Sequence, residues 1–193
     1  MLIHPSISGS RVTAGRNWRA FLVWTMMYFC LAGFVFGQDS GNEYQKKAVH
    51  IGKLARYVEW PKDKMGTGIP LVIGVFGTDF ASDQIREVVG RKPINGREVV
   101  VKTCSTIQEA AGCHILFISR SEEGRLSAIL RKVRGEPVFT VGECDSFLKE
   151  GGIINLRTLG SEVNMEINEK NARRSDLKIS PRLVNFGEGG VGG

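Results

Sequence analysis

The segment Leu71-Val72-Ile73-Gly74-Val75-Phe76, closed by Gly77, constrains the fold more than any other stretch of this sequence. A run without a single polar side chain does not fit a half-exposed strand, in which apolar and polar positions alternate. It predicts a strand buried on both faces, as in the centre of a parallel sheet covered by helices on two sides. The runs His114-Ile115-Leu116-Phe117-Ile118, behind Gly112, and Pro137 to Val141 repeat the pattern. Between them lie helical segments. Asp79 is placed to cap a helix with apolar side Ala81, Ile85, Val88 and Val89, ended by Gly90. Asn95-Gly96 turns into a strand from Arg97 to Thr103, and Ser105 or Thr106 opens a short helix. Ser121 is placed to cap another, with Glu122 and Glu123 in its first turn and Leu126, Ile129, Leu130 and Val133 as its buried stripe. Strand and helix in alternation predict an α/β fold: a mainly parallel sheet flanked by helices.

Ahead of this core, Ala48, Ile51, Leu54, Ala55 and Val58 recur at helical spacing from Glu43 to Trp60, with Lys46, Lys47, Lys53 and Arg56 on other faces. Trp60-Pro61 is expected to stop that helix. Lys62 to Gly68, rich in Gly, Lys and Thr, reads as a mobile loop. After the core the pattern changes. Ile153-Ile154-Asn155-Leu156 and Val163 to Ile167, joined through Leu159-Gly160-Ser161, predict a C-terminal antiparallel β-hairpin. A short polar helix from Asn168 and the apolar Leu177, Ile179, Leu183, Val184 and Phe186 follow. With 193 residues and neither an internal repeat nor a linker, residues 38–193 read as one domain, with a frayed Gly-rich tail at 187–193.

Residues 1–37 carry Arg11, Arg16 and Arg19, no acid, and the uncharged run Ala20 to Phe36. This is the layout of a secretory signal peptide, with cleavage expected after Gly37. The competing expectation is an uncleaved membrane anchor, because the run is near the lower limit for spanning a bilayer. Export would leave 23 basic against 20 acidic residues, +3 in place of +6. With no block of like charge left, the composition argues against a nucleic-acid partner. Export would also leave Cys104, Cys113 and Cys144 where disulfides persist, an odd number with three intramolecular pairings open. If Cys104 ends one strand and Cys113 starts the next parallel one, the two are expected at opposite ends of the sheet, too far apart to bridge.

Catalytic patterns are sparse. The sequence holds no G-x-S-x-G, G-x-x-x-x-G-K-[ST], H-E-x-x-H or C-x-x-C. No catalytic, cofactor-binding or metal-ligating set is predicted. Cys113 and His114 are adjacent on a strand and so point to opposite faces, which denies both to one site. Gly66-Thr67-Gly68 precedes a strand and is no dinucleotide fingerprint. Trp60 beside Pro61 reads equally as an aromatic anchor for a partner and as a cap on the core. Glu166 and Asn168 lie opposite Met165 and Ile167 on their strand; both are contact candidates, and Asn168 also reads as a helix cap.

Tyr57-Val58-Glu59-Trp60-Pro61, Leu71 to Gly77, Gly112 to Ser119, Val138 to Gly142, Gly151 to Leu156, Glu166-Ile167-Asn168 and Leu177 to Ser180 follow one another in an order and spacing that resembles the YfiR/HmsC-like family of exported bacterial proteins. The resemblance implies a periplasmic regulator with no enzymatic activity. Such a protein holds down an inner-membrane diguanylate cyclase by binding its periplasmic sensor region; release raises cyclic-di-GMP and favours biofilm. The resemblance also implies a homodimer and disulfides that hold the inhibitory form. This chain departs from the four mature cysteines of the best-known pattern. Cys113 stands at the matching strand start, but Leu71 to Phe76 offers no partner cysteine. Trp60, Pro61, Glu166 and Asn168 are the candidate partner contacts, and Trp60→Ala is expected to free the cyclase without unfolding the domain. Two other classes compete. A periplasmic small-ligand-binding module would use the carboxyl edge of the sheet. A thiol enzyme would need an accessible Cys113 with a lowered pKa.

Overall fold

The computed structural model describes residues 38–183. The expected signal peptide, its cleavage point, and the Gly-rich tail with Val184 and Phe186 lie outside the described residues. The chain opens with helix α1 (Gln38–Leu54), a 3-10 turn (Ala55–Tyr57) and the short strand β1 (Val58–Glu59). The helix thus stops at Leu54 rather than at Trp60. Val58 and Glu59 pair antiparallel with Ile179 and Lys178 of β8 (Lys178–Ile179), and Ser180 donates its N–H to the Tyr57 carbonyl. Pairing with the far end of the chain outcompetes local helix propensity, which is low for Val58.

The core follows: β2 (Leu71–Phe76), α2 (Asp79–Val89), β3 (Val99–Thr103), a 3-10 segment (Ile107–Gly112), β4 (Ile115–Ile118), a second 3-10 segment (Arg120–Arg125), α3 (Leu126–Lys132) and β5 (Phe139–Gly142). The hairpin β6 (Ile154–Leu159) and β7 (Glu162–Ile167) comes next, then α4 (Glu169–Arg174). Thr78, in extended geometry, caps α2 in place of Asp79, its hydroxyl accepting from the Ala81 N–H at 3.4 Å. Asn95 and Gly96 both take positive φ, 50° and 75°, as a two-residue hairpin turn between paired Ile94 and Arg97 demands. The third expected cap also moves. Ser121 bonds the Ser119 hydroxyl at 2.6 Å, and α-helical geometry begins only at Leu126, beyond Gly124, whose propensity for a helix interior is poor.

Among the described residues six strands form one sheet in the order β3-β2-β4-β5-β6-β7, parallel throughout except for the β6–β7 hairpin. The chain runs from β2 outward to β3, then crosses back over β2 to β4, the connectivity of a doubly wound sheet. Ile73, Val75, Ile115, Phe117, Phe139 and Val141 join α1 and α2 in one core layer. Phe76, Leu116, Ile118 and Val138 join α3 and the Ile107–Gly112 segment in a second. Both faces of the central runs are therefore buried, as their lack of polar residues requires. No helix among the described residues is long and apolar enough to cross a membrane.

Candidate functional site

Trp60 emerges from β1 at the amino end of the parallel strands. Its indole N–H donates to the His114 carbonyl at 3.1 Å, and its ring meets the His114 imidazole edge-on, centroids 6.1 Å apart. His114 is 3% exposed. Its Nδ1 accepts from the Val72 N–H at 3.0 Å, which leaves Nε2 to donate to the Lys64 carbonyl at 3.1 Å. Burial, with Lys64 and Arg97 nearby, lowers the His114 pKa, so the ring is held neutral. The loop expected to be mobile is tied down. Pro61 O accepts from the N–H groups of Lys64 and Met65, Lys64 Nζ reaches the Ala111 carbonyl at 2.8 Å, and the Arg97 guanidinium reaches the carbonyls of Met65, Gly66 and Ile69. Beside Trp60 lies a cavity of about 270 Å³ lined by Met65, Leu71 and Ile94, with Glu59, Lys62 and Arg97 supplying charge.

Cys113 and His114 do face opposite ways. Cys113 turns into the second core layer, where its sulfur lies 4.0 Å from that of Cys104. The expectation that these two sit too far apart is wrong, for two reasons. The Ile107–Gly112 segment carries the chain back across β2, and Gly74 at the centre of β2 leaves room above it. A Cβ on Gly74 would stand 2.4 Å from the Cys113 sulfur and 2.9 Å from that of Cys104. The hydrogen bond to Cys113 and burial keep the Cys104 thiol protonated, while the same bond, with Lys102 and Lys64 nearby, lowers Cys113. Of the two conditions for a thiol enzyme Cys113 therefore meets the lowered pKa and fails on access, being 0% exposed. Cys144, buried in the same layer, is pushed up by burial.

At the other end of the strands α1 covers the carboxyl edge. Tyr44 packs edge-on against Phe117 of β4 and Phe80 of α2. Lys47 was expected on an outer face. It is 3% exposed, with Nζ donating to the carboxylates of Glu43 and Glu143, and Glu143 is buried to the same degree. Glu143 also accepts from the Tyr44 hydroxyl at 3.2 Å and the Arg120 N–H at 2.7 Å, so its charge is fully partnered. Burial beside Glu143 pushes the Tyr44 phenol up. Burial alone would raise Glu43, but the bonds from Lys47 and Thr158 outweigh it and hold that carboxyl below its ordinary value. Tyr44 and Lys47 thus place α1 against the carboxyl ends of β4 and β5.

Glu166 and Asn168 lie far from Trp60. Register places Ile118, Gly142, Asn155 and Glu166 side by side across β4, β5, β6 and β7, level with the carboxyl end of β4, whereas Trp60 bonds the residue just before β4 begins. Glu166 accepts from the Asn155 amide at 3.3 Å and lies 3.6 Å from Arg157. Asn168 caps α4, accepting from the Asn171 N–H at 3.1 Å. The four sequence candidates therefore form two separate pairs.

A sequence model of the family described as YfiR/HmsC-like matches residues 44–188. The chain belongs to that family. YfiR/HmsC-like proteins are regulators rather than known enzymes. Within this YfiR/HmsC-like domain, sequence reasoning missed Lys47, Glu143, Gly74 and the meeting of Cys104 with Cys113. One signal was available: Lys47 stands four residues before Ile51, on the same stripe as the core positions.

Proposed function

We propose that this protein is a periplasmic regulator that represses an inner-membrane diguanylate cyclase by contact with the cyclase's periplasmic sensor region, lowering cyclic-di-GMP and biofilm formation. Membership of the YfiR/HmsC-like family across residues 44–188 carries the reading. Physically, such a repressor needs no bond-making step. It binds one conformation of the cyclase more tightly than the other and shifts the population by that difference.

The contact surface we assign is the Trp60 end of the domain. Pro61, exposed Glu59 and exposed Lys62 flank the cavity there, where Met65, Leu71 and Ile94 are ringed by charge, a setting of the kind that hot spots occupy. Glu166, with its side chain 40% exposed, forms a second contact at the opposite end; the Asn168 side chain serves the α4 cap. The cysteine pair assigned to any redox control is Cys104 with Cys113, leaving Cys144 unpaired.

Trp60→Ala is a poor probe of this surface, because the indole also packs on the core and bonds His114. Charge reversal at the rim is better. Exported wild-type protein, expressed in cells with the cyclase, is expected to co-purify with it and to lower cyclic-di-GMP. Glu59→Lys with Lys62→Glu is expected to restore cyclic-di-GMP at unchanged Tm. Absence of any co-purifying cyclase, with cyclic-di-GMP unaffected by the wild-type protein, would sink the proposal.

A further inference from the structure

A second cavity, of about 340 Å³, opens where α3 feeds into β5 and the segment 148–152 feeds into β6. Three cationic side chains line it: Arg134 just past α3, Lys149, and Arg174 at the end of α4. The one carboxylate in its wall is Glu150, so the wall carries two positive charges in excess.

Some neighbouring cations are paired, and these three are not. Arg173, one position before Arg174, bonds Glu169 at 2.9 Å; Arg125 bonds Glu122, and Arg91 bonds Glu87. Among the described residues Arg134, Lys149 and Arg174 have no carboxylate within ion-pair distance. Cations near helix C-termini are favourable on dipole grounds alone. The dipole does not require three of them, from three segments, to line one cavity unpaired. The cavity is also built rather than incidental. Gly151 takes φ 112°, a conformation that favours glycine, and the Asn171 amide clamps the segment by donating to the carbonyls of Gly152 at 2.8 Å and Leu148 at 3.2 Å. Buried Thr140 and Ser175 add hydroxyls to the wall.

We infer that this cavity binds a phosphoryl group, carried by inorganic phosphate or by a small phosphomonoester. Two guanidinium forks and an ammonium match the tetrahedral oxygens of a phosphate dianion, and a dianion balances the excess charge. The volume, at the small end of ligand pockets, leaves room for a short organic group on the phosphate. The site is independent of the cyclase reading and could fail without it.

Thermal unfolding of the purified full chain in chloride buffer, at constant ionic strength, tests this with inorganic phosphate and glycerol 3-phosphate as probes. A saturable rise in Tm is expected with at least one, and the tighter of the two identifies the source. Arg134→Ala, Arg174→Ala and Lys149→Gln are each expected to weaken binding roughly tenfold or more, the usual scale for one charge-assisted bond. Lys132→Ala, an exposed cation outside the cavity, is expected to leave binding unchanged. Tm in chloride reports whether each variant folds, which separates a structural role at the helix ends from a ligand role. No saturable rise with either probe, or equal weakening by Lys132→Ala, overturns the inference.

Discussion

The two layers that cover the sheet are closed by different means. The α1/α2 layer contains partnered polar groups: Lys47 between Glu43 and Glu143 at the carboxyl edge, and Trp60 on His114 at the amino edge. The α3 layer holds all three described cysteines and is closed by small atoms and missing side chains. In it Phe147 lies against two glycines; a Cβ on Gly142 would stand 2.2 Å from its ring, and one on Gly152 2.1 Å. A layer held by partnered charges fails when an atom is removed. A layer that depends on empty positions fails when one is added.

The largest expected effect is on the first layer. Glu143→Ala removes the acceptor of Lys47, Tyr44 and the Arg120 N–H, leaving a buried ammonium with Glu43 alone. A loss of about 3–5 kcal/mol is expected, read from the urea midpoint. Lys47→Met with Glu143→Gln removes both charges together and is expected to cost clearly less than Glu143→Ala. Equal losses would mean that the layer is held by packing, like its counterpart, and the contrast would be gone.

Addition tests the second layer. Gly152→Ala pushes a methyl into the rigid ring of Phe147 and is expected to cost about 3 kcal/mol, the upper part of the overpacking range. Gly124→Ala, where a Cβ meets open space, is expected to be neutral or slightly stabilising. A Gly152→Ala protein as stable as wild type would show that this layer yields, against the close packing assigned to it.

The same contrast explains what the sequence disclosed. Leu71 to Phe76 was legible as a central strand because burial on both faces leaves no position for a polar residue. The hairpin was legible because its alternation and its Gly160-Ser161 turn are local. Three features were not local. The end of α1 at Leu54 depends on β1 pairing with β8, near the other end of the chain. Lys47 looked like a surface lysine because its partner Glu143 is remote in sequence, although its place on the Ile51 stripe was visible. Cys104 and Cys113 looked divergent because strand direction was read without the crossover over Gly74. Of the candidate site, Trp60 was legible as a residue with a role, but its bond to the His114 carbonyl depends on the β4 backbone arriving beside it.

A covalent link should strengthen only the α3 layer. Both thiols are buried, so the bridge is made by refolding the urea-unfolded chain in glutathione disulfide, which removes one hydrogen from each thiol as two molecules of glutathione are released and joins Cys104 to Cys113. With sulfurs 4.0 Å apart the closure needs a small shift, and a loop of about ten residues is expected to add roughly 2.5 kcal/mol on the chain-entropy model. Peptide mapping should find the bridge in wild type and in Cys144→Ser, with Tm raised in both. Mapping that instead joins Cys144 to either residue would refute the pairing.

The smallest effect expected is a dependence on pH, and it belongs to the first layer. The Val72 N–H already points at His114 Nδ1, so a proton placed there would set donor against donor, in a buried position near Lys64 and Arg97. The folded ring therefore titrates below 6.5, while in the unfolded chain it titrates near that value. As pH falls below about 6.5 the unfolded state takes up a proton that the folded state refuses, and stability declines at a slope of at most about 1.4 kcal/mol per pH unit until the folded pKa is reached. Glu43, held below its ordinary 4.5, also loses its contribution as pH falls, but only in the more acidic window. Between pH 7.5 and 5.5 the urea midpoint of wild type is therefore expected to drop, while His114→Asn, less stable at pH 7.5, stays nearly flat. A slope that survives in His114→Asn would move the pH sensitivity away from the Trp60 end of the domain. It would also show that the neutral imidazole is not what ties the Lys64 loop to the sheet.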